Sequence, residues 1–409
     1  MLPKPNNNFV INLNLNMFVW SMFVFMTLLS TAPVCTAMEV QRLPLHLLKL
    51  PPGFNVDVFA YPVPNARSLT LGDEGIVYAG SRNAGAVYAL IDKDHDGKAE
   101  QTIVIAHGLN SPVGVAWRKG SLYVAEIGRV IRFDNISRSL QLKQNPTYVV
   151  VNDSFPKDTW HGWKFIAFGP DEKLYVPIGS PCNVCIKSDK RYGTIMRMNS
   201  DGKGLEVFAS GIRNSVGFAF DPKTNDLWFT DNGRDYLGDN IPPDELNHAP
   251  KQGMHFGFPY VWGDNRKDPE FGQNVDLSKF TMPAVLLDAH VAALGMRFYT
   301  GTQFPKEYQG KIFIAEHGSW NRSTPIGYRV RLVDPSAKSR DSQYQSFLSG
   351  FLPEGQREPW GRPVDVLVMP DGSMLVSDDY NGAIYRISYK AQPAHKPAPH
   401  TIPKGKPAK

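Results

Sequence analysis

The residues of this 409-residue chain that could do chemistry fall in two recurring places. One set sits just before short apolar segments: Asn110-Ser111, Trp160-His161, Arg213-Asn214, His290 and Arg362. The other follows a second apolar segment: Arg82, Glu126, Asp231-Asn232, Glu316-His317 and Asp378-Asp379. This is far more polar and cationic than packing requires, and the mixture of imidazole, guanidinium and carboxylate suits an anionic ligand and a metal ion. A separate run, Asp92-Lys93-Asp94-His95-Asp96-Gly97, places carboxylates at alternate positions before a glycine, like the first half of a calcium loop. Ile103 stands where such a loop carries its closing Glu, and no flanking helices are expected, so an EF-hand is excluded. The run reads as a turn between strands, with Asp92, Asp94 and Asp96 as a second candidate ion site and a plain polar hairpin as the alternative. Cys182 and Cys185 form a CxxC loop in which no His follows, against c-type haem, and no second pair exists for a four-sulfur zinc site. A structural disulfide is the expectation, free thiols the alternative.

What must position these groups is visible as a repeated phrase: an apolar strand, a Pro-Asp-Gly-like turn, a second strand and a small polar segment. Pro112 to Gly128, Phe165 to Ser180, Ser215 to Gly233 and Pro363 to Tyr380 are clear copies. Ser68 to Arg82 and Gly295 to Gly318 are looser ones, and several copies end in a further strand, as from Gly85, Gly193 and Gly382. About six units of roughly 50 to 60 residues, each a small antiparallel sheet, predict an all-β, six-bladed β-propeller of four-stranded antiparallel blades. In that architecture equivalent positions of successive repeats converge on one ring around the axis, so His161, Arg213 and Arg362 meet at one tunnel mouth.

Composition agrees: 11% aromatic residues, 35 Gly and 33 Pro favour strands and turns. A formal charge of +5, part of it in a lysine-bearing tail, gives no reason to invoke nucleic acid. The apolar stretch from Met17 to Leu29, ending in Cys35-Thr36-Ala37, predicts a signal peptide over 1–37 cleaved after Ala37. An uncleaved anchor, the one expected route to membrane association, or a lipid-modified Cys35 is the alternative. The propeller is expected over 38–389, with a disordered Pro- and Lys-rich tail over 390–409. A periplasmic or secreted location follows.

The segments HGWKFIAFGPDEKLYVPIG, SGIRNSVGFAFDP, DNGRDYLGDNIPPDELN, GFPYVWGDN, AEHGSWNR and GRPVDVLVMPDG, in this order, resemble the pyrroloquinoline quinone-dependent sugar dehydrogenase family. The likeness is to the sorbosone and pyranose branch more than to the soluble glucose branch. It implies oxidation of a sugar, osone or related alcohol or aldehyde by hydride transfer to pyrroloquinoline quinone, with calcium as Lewis acid and an external cytochrome or quinone as electron acceptor. His161 matches the general base, whose imidazole is expected to titrate near neutrality. Trp160 stands where the glucose branch has a carboxylate partner, with Asp158 nearby. Arg213 and Asn214 match the pair beneath the quinone, and Arg362 an arginine for cofactor carboxylates. The second such arginine falls on Val364, leaving Arg82 or Arg322 to replace it. Asn110 joins the cofactor set by ring position, and His317 and Trp320 are candidates for contact with cofactor or substrate. The implied calcium ligands are Asn232, Gly233 and Arg234, with the acidic pair Asp244 and Glu245, or Asp239, for substrate or a second ion. Two rivals stand beside this: a calcium-dependent lactonase or esterase on a six-bladed propeller, and a non-catalytic binding propeller.

Overall fold

Each repeated phrase folds into the first two strands of a blade, because branched and aromatic residues pack on pleated surfaces and the intervening turn is chemically specified. In the turn after Met369, Gly372 takes φ +83° and the Asp371 carboxylate accepts from Ser373 N at 2.9 Å. Glu172 and Asn225 adopt the same left-handed conformation, φ 64°, in two other copies. The computed structural model describes residues 43–390, so the expected signal peptide and all but the first residue of the expected tail lie outside the described residues. Among the described residues no helix is long and apolar enough to cross a membrane.

The result is a six-bladed β-propeller. From the axis outward, blade 1 is Ala66–Leu71, Val77–Ser81, Val87–Ile91 and Gln101–Ala106. Blade 2 is Gly114–Arg118, Ser121–Ala125, Val130–Phe133 and Tyr148–Asn152. Blade 3 is Ala167–Phe168, Leu174–Ile178, Thr194–Met198 and Glu206–Ser210. Blade 4 is Phe218–Phe220, Leu227–Asp231, Pro243–Ala249 and Val285–Ala289. Blade 5 is Ala293–Phe298, Ile312–Glu316, Arg329–Val333 and Tyr344–Leu348. Blade 6 is Pro363–Val368, Met374–Asp378 and Ala383–Tyr389, and its fourth strand is Phe54–Ala60 from the start of the propeller. That strand pairs Phe54 with Tyr389 and Ala60 with Ile384, so the two ends of the propeller close the ring by backbone hydrogen bonds.

One blade departs from the four-stranded plan. Met254–His255 adds a short parallel fifth strand to the edge of blade 3. It belongs to an excursion between the last two strands of blade 4, which also forms the hairpin Val261–Trp262 with Arg266–Lys267.

The core is a set of slabs between neighbouring blades rather than one centre. Leu69 and Val77 of blade 1 pack with Leu375 and Ile384 of blade 6, and Tyr78 and Val87 with Val115 and Leu122 of blade 2. The seam of blades 5 and 6 is aromatic: Phe54 meets Phe304, Phe347 and Tyr389 edge-on at 4.8, 5.0 and 4.9 Å. Each such ring contributes about 1.5–3 kcal/mol when fully buried. This rigid seam-by-seam packing lets loops at one end of the barrel hold side chains in register.

Candidate active site

Antiparallel pairing brings both sets of polar residues to one end of the tunnel. Ala66 pairs with Ser81, Ala293 with Glu316 and Pro363 with Asp378. Residues just before a first strand and just after a second strand therefore flank the same mouth. A cavity of ≈ 630 Å³ opens there, within the range of small-molecule sites. Of the residues singled out in the sequence, Arg82, His161, Arg213, Asn214, Asn232 and Gly233 line it, as do Asp244, His290, His317 and Arg362. A cleft of ≈ 690 Å³ on the flank of blades 2 and 3 is no rival, because its Arg118 and Arg132 are spent on Glu172 and Asp134 at 2.7 and 2.6 Å.

His161 is held in a defined tautomer. Its backbone sits at φ +54°, and Gly179 makes room: a Cβ there would lie 2.7 Å from the His161 Cβ. Ring Nδ1 lies 2.8 Å from the Ser180 carbonyl oxygen, which can only accept, so Nδ1 carries the hydrogen and Nε2 presents its lone pair. Trp160 Nε1 donates to that lone pair at 3.1 Å. Asp158 does not stand in as partner; its carboxylate takes the Tyr192 hydroxyl. Titration near neutrality, expected from the residue type, does not hold: burial first, and the Arg213 charge second, push His161 down to about 3. The ring is a neutral proton acceptor throughout the physiological range.

Arg213 and Asn214 are fixed from below. Asp231, buried beneath them, accepts from both backbone N–H groups, at 2.9 and 2.7 Å. The Arg213 guanidinium contacts Asp235 at 2.9 Å and the Asn232 carbonyl at 3.2 Å. Burial lowers its affinity for a proton, while Asp235 and Asp231 oppose this, and the group stays cationic.

Three more guanidinia reach the cavity, one of them unanticipated. Arg67 is bound to Asp379 at 2.6 Å, and His317 Nε2 donates to the other oxygen of that carboxylate at 2.8 Å. Burial alone would raise the Asp379 carboxyl, but His317 and Arg67 beside it hold it well below the usual range. Arg362 donates to the backbone carbonyls of His317 and Gly318 at 3.2 and 3.4 Å. Arg82 lies over the Trp163 ring, 4.1 Å from its centroid. Among the described residues neither Arg82 nor Arg362 has a carboxylate partner. Burial, then Arg67, weakens proton binding by Arg82. Two half-buried guanidinia without a paired carboxylate among the described residues, beside a flat aromatic face, make a donor set that a carboxylated planar molecule would fit.

Several expectations are corrected by the geometry. Arg322 does not replace the missing arginine: it turns from the cavity to Asp239 and the Ala289 carbonyl. The strand pairings instead put Arg67 at the ring position of Val364, since Ala66 and Pro363 are equivalent. Asn110 is not among the lining residues; its backbone N–H is given to Glu126 at 2.6 Å. Asp244 and Glu245 do not act as a pair, because neighbours in a strand point to opposite faces. Asp244 lines the cavity and accepts from Gly233 N at 2.9 Å, whereas Glu245 lines a small void behind it. Burial pushes Glu245 up to about 8, with Asp231 adding to the rise, and burial pushes Asp244 to about 6. The Arg234 side chain leaves the site for Asp268 and Glu270, at 2.8 and 2.6 Å, so only its backbone oxygen could serve an ion. Asp92, Asp94 and Asp96 do gather, joined by Glu100, with oxygens within 4.8 Å of one another, but on the turn between the outer strands of blade 1. Besides Arg67, sequence reading missed Trp163, Asp235 and Asn321; Trp163 was recoverable, two residues after His161 in the same repeat.

The family described as Glucose / Sorbosone dehydrogenase matches residues 125–319, and a TrAA12-like family matches 250–390. An uncharacterized protein of Borreliella burgdorferi is 38% identical over 354 residues, covering 84% of this chain and 91% of its own length. The chain belongs to the glucose/sorbosone dehydrogenase family. An aldose sugar dehydrogenase of Escherichia coli (strain K12) is 29% identical over 218 residues, 49% of this chain. The match spans about half, 52%, of the Escherichia coli protein. The fold is shared with the holo form of the pyranose dehydrogenase PQQ domain from Coprinopsis cinerea, at a TM-score of 0.70 and 17% identity, over 83% of this chain and 97% of that one.

Proposed function

We propose that this dehydrogenase oxidises a sugar, osone or related alcohol or aldehyde with pyrroloquinoline quinone seated in the 630 Å³ cavity. The observation that carries the reading is the pair Arg82 and Arg362, cationic, cavity-lining and, among the described residues, without carboxylate partners. Three carboxylates on a planar quinone complement them, with Trp163 as a flat wall. Bound there, the quinone supplies the acceptor for the hydride that leaves the substrate carbon. The chain's own part is proton transfer: the neutral Nε2 of His161 takes the proton of the substrate hydroxyl once that hydroxyl displaces the Trp160 donor. The Arg213 guanidinium stabilises negative charge developing opposite.

The residues also fit a calcium ion. Asn232 Oδ1 is buried without a hydrogen-bond partner among the described residues, and such an orphan oxygen costs about 1–3 kcal/mol unless a donor or cation meets it. Asn232 Oδ1 with the backbone oxygens of Gly233 and Arg234 would hold the ion, which polarises a carbonyl as a Lewis acid. The lactonase reading is less favoured. Among the described residues, the group of three or more His, Cys, Asp or Glu side chains able to share an ion lies at Asp92, Asp94, Asp96 and Glu100, outside the cavity. The Cys182–Cys185 disulfide supports export to the periplasm or beyond. An external acceptor, a cytochrome or quinone, completes the turnover.

Purified protein loaded with calcium and pyrroloquinoline quinone is expected to reduce an artificial dye in the presence of aldoses or osones, and chelation with EDTA to abolish the rate until calcium is restored. Dye reduction absent from every sugar tried, beside hydrolysis of a lactone, would favour the hydrolase instead.

A further inference from the structure

The loop from Ser180 to Cys185 touches both residues on which the proposed chemistry rests. The Ser180 carbonyl sets the tautomer of His161, and Ser180 N donates to the Arg213 carbonyl at 2.8 Å. Three residues on, Asn183 grips the Arg213 guanidinium twice. Its backbone carbonyl accepts from Nε at 2.8 Å, and its Oδ1 accepts from Nη2 at 3.0 Å. That Oδ1 also accepts from Asp235 N at 2.8 Å, and Nδ2 donates to the Asp235 carbonyl at 3.2 Å. The Cys182–Cys185 bond closes the loop around Asn183 and limits its freedom to let go.

A guanidinium has five N–H groups. Asn183 takes two of those in Arg213, Asp235 shares Nη2, and the Asn232 carbonyl takes Nη1. Among the described residues one Nη1 hydrogen is left over, on a residue that lines the cavity. The grip thus determines both the plane of the guanidinium and which donor is spare.

We infer that Asn183, clamped by the Cys182–Cys185 loop, is the positioning residue of Arg213, holding its guanidinium in the one plane that leaves a donor free for the reacting group. The inference rests on the dehydrogenase reading above. Asn183 is not among the residues that line the cavity, and it reaches the site through Arg213 and the backbone of Asp235.

A double-mutant cycle tests this, because two residues acting through one contact are not additive. With dye reduction as readout, Asn183→Ala is expected to lower kcat about ten-fold or more, with the sugar KM changed less than about three-fold, as for a contact realised in the transition state. In an Arg213→Ala background the same substitution is expected to change kcat by less than about two-fold. Equal factors in both backgrounds, or an unchanged kcat in the parent background, would overturn the inference alone. A parent that reduces no dye would overturn the dehydrogenase reading and this inference with it. Should Asn183→Ala not accumulate as folded protein, the Cys182→Ala/Cys185→Ala variant carries the same cycle, with loss of kcat expected only where Arg213 is present.

Discussion

Replacing His161 by alanine is expected to lower kcat about 10³-fold while the protein still takes up its quinone. A positioned general base contributes about 10²–10⁴-fold, and the other two histidines lining the cavity are oriented by other contacts, with Nε2 turned away as a donor. His317 has Nε2 committed to Asp379, and His290 Nε2 faces the carbonyl oxygens of Gly238 and Ile241 at 2.9 and 3.0 Å. The pH profile adds a sign. Nε2 works only unprotonated, so activity is lost as pH falls through the His161 pKa. With that pKa pushed to about 3 by burial and Arg213, the acid limb due to this residue lies far below neutrality, not near pH 6.5. Steady-state dye reduction on the folded variant checks both points. A variant that turns over at the parental rate, or a parental limb near pH 6.5 that vanishes with His161, would contradict the assignment or its microenvironment respectively.

Removing Arg362 is expected to act on affinity rather than on turnover. Arg362→Ala should weaken quinone binding about 10–100-fold, the equivalent of about 1.5–3 kcal/mol for a charge-assisted hydrogen bond. Arg362→Lys should restore little of it, because a point charge does not reproduce a planar fork. Fluorescence titration of the metal-loaded protein reads the loss, and kcat at saturating quinone should stay within about three-fold of the parent. An unchanged dissociation constant would remove Arg362 from the cradle. Arg67 is expected to matter less to affinity, since its charge is already met by Asp379 at 2.6 Å.

The architecture was legible because its signal is repetitive. Six copies of strand, turn and strand mark the blades, and ring convergence of His161, Arg213 and Arg362 follows from them. Reading failed where one residue of register or one tertiary contact decides the outcome. Taking the first repeat from Ser68 left out Arg67, although aligning Ala66 with Pro363 would have put it opposite Val364. Arg322 and Asn110 looked available because nothing local shows that Asp239 and Glu126 engage them. The strand alternation that separates Asp244 from Glu245 was visible in principle, once both were placed in one strand. Burial was not visible: the depressed titration of His161 arises from packing that a lone histidine in sequence does not reveal. Nor could the CxxC spacing show that Asn183 would reach Arg213, thirty residues away. The fifth strand of blade 3 likewise comes from an excursion out of blade 4, which no period announces.

The most direct test of the central claim is an equilibrium titration of chelator-stripped protein with pyrroloquinoline quinone, with and without calcium, followed by addition of sugar and dye. Saturation at one quinone per chain is expected, tighter with calcium than without, with dye reduction that depends on sugar. Absence of saturable binding in the presence of calcium, with the protein folded, would contradict that claim.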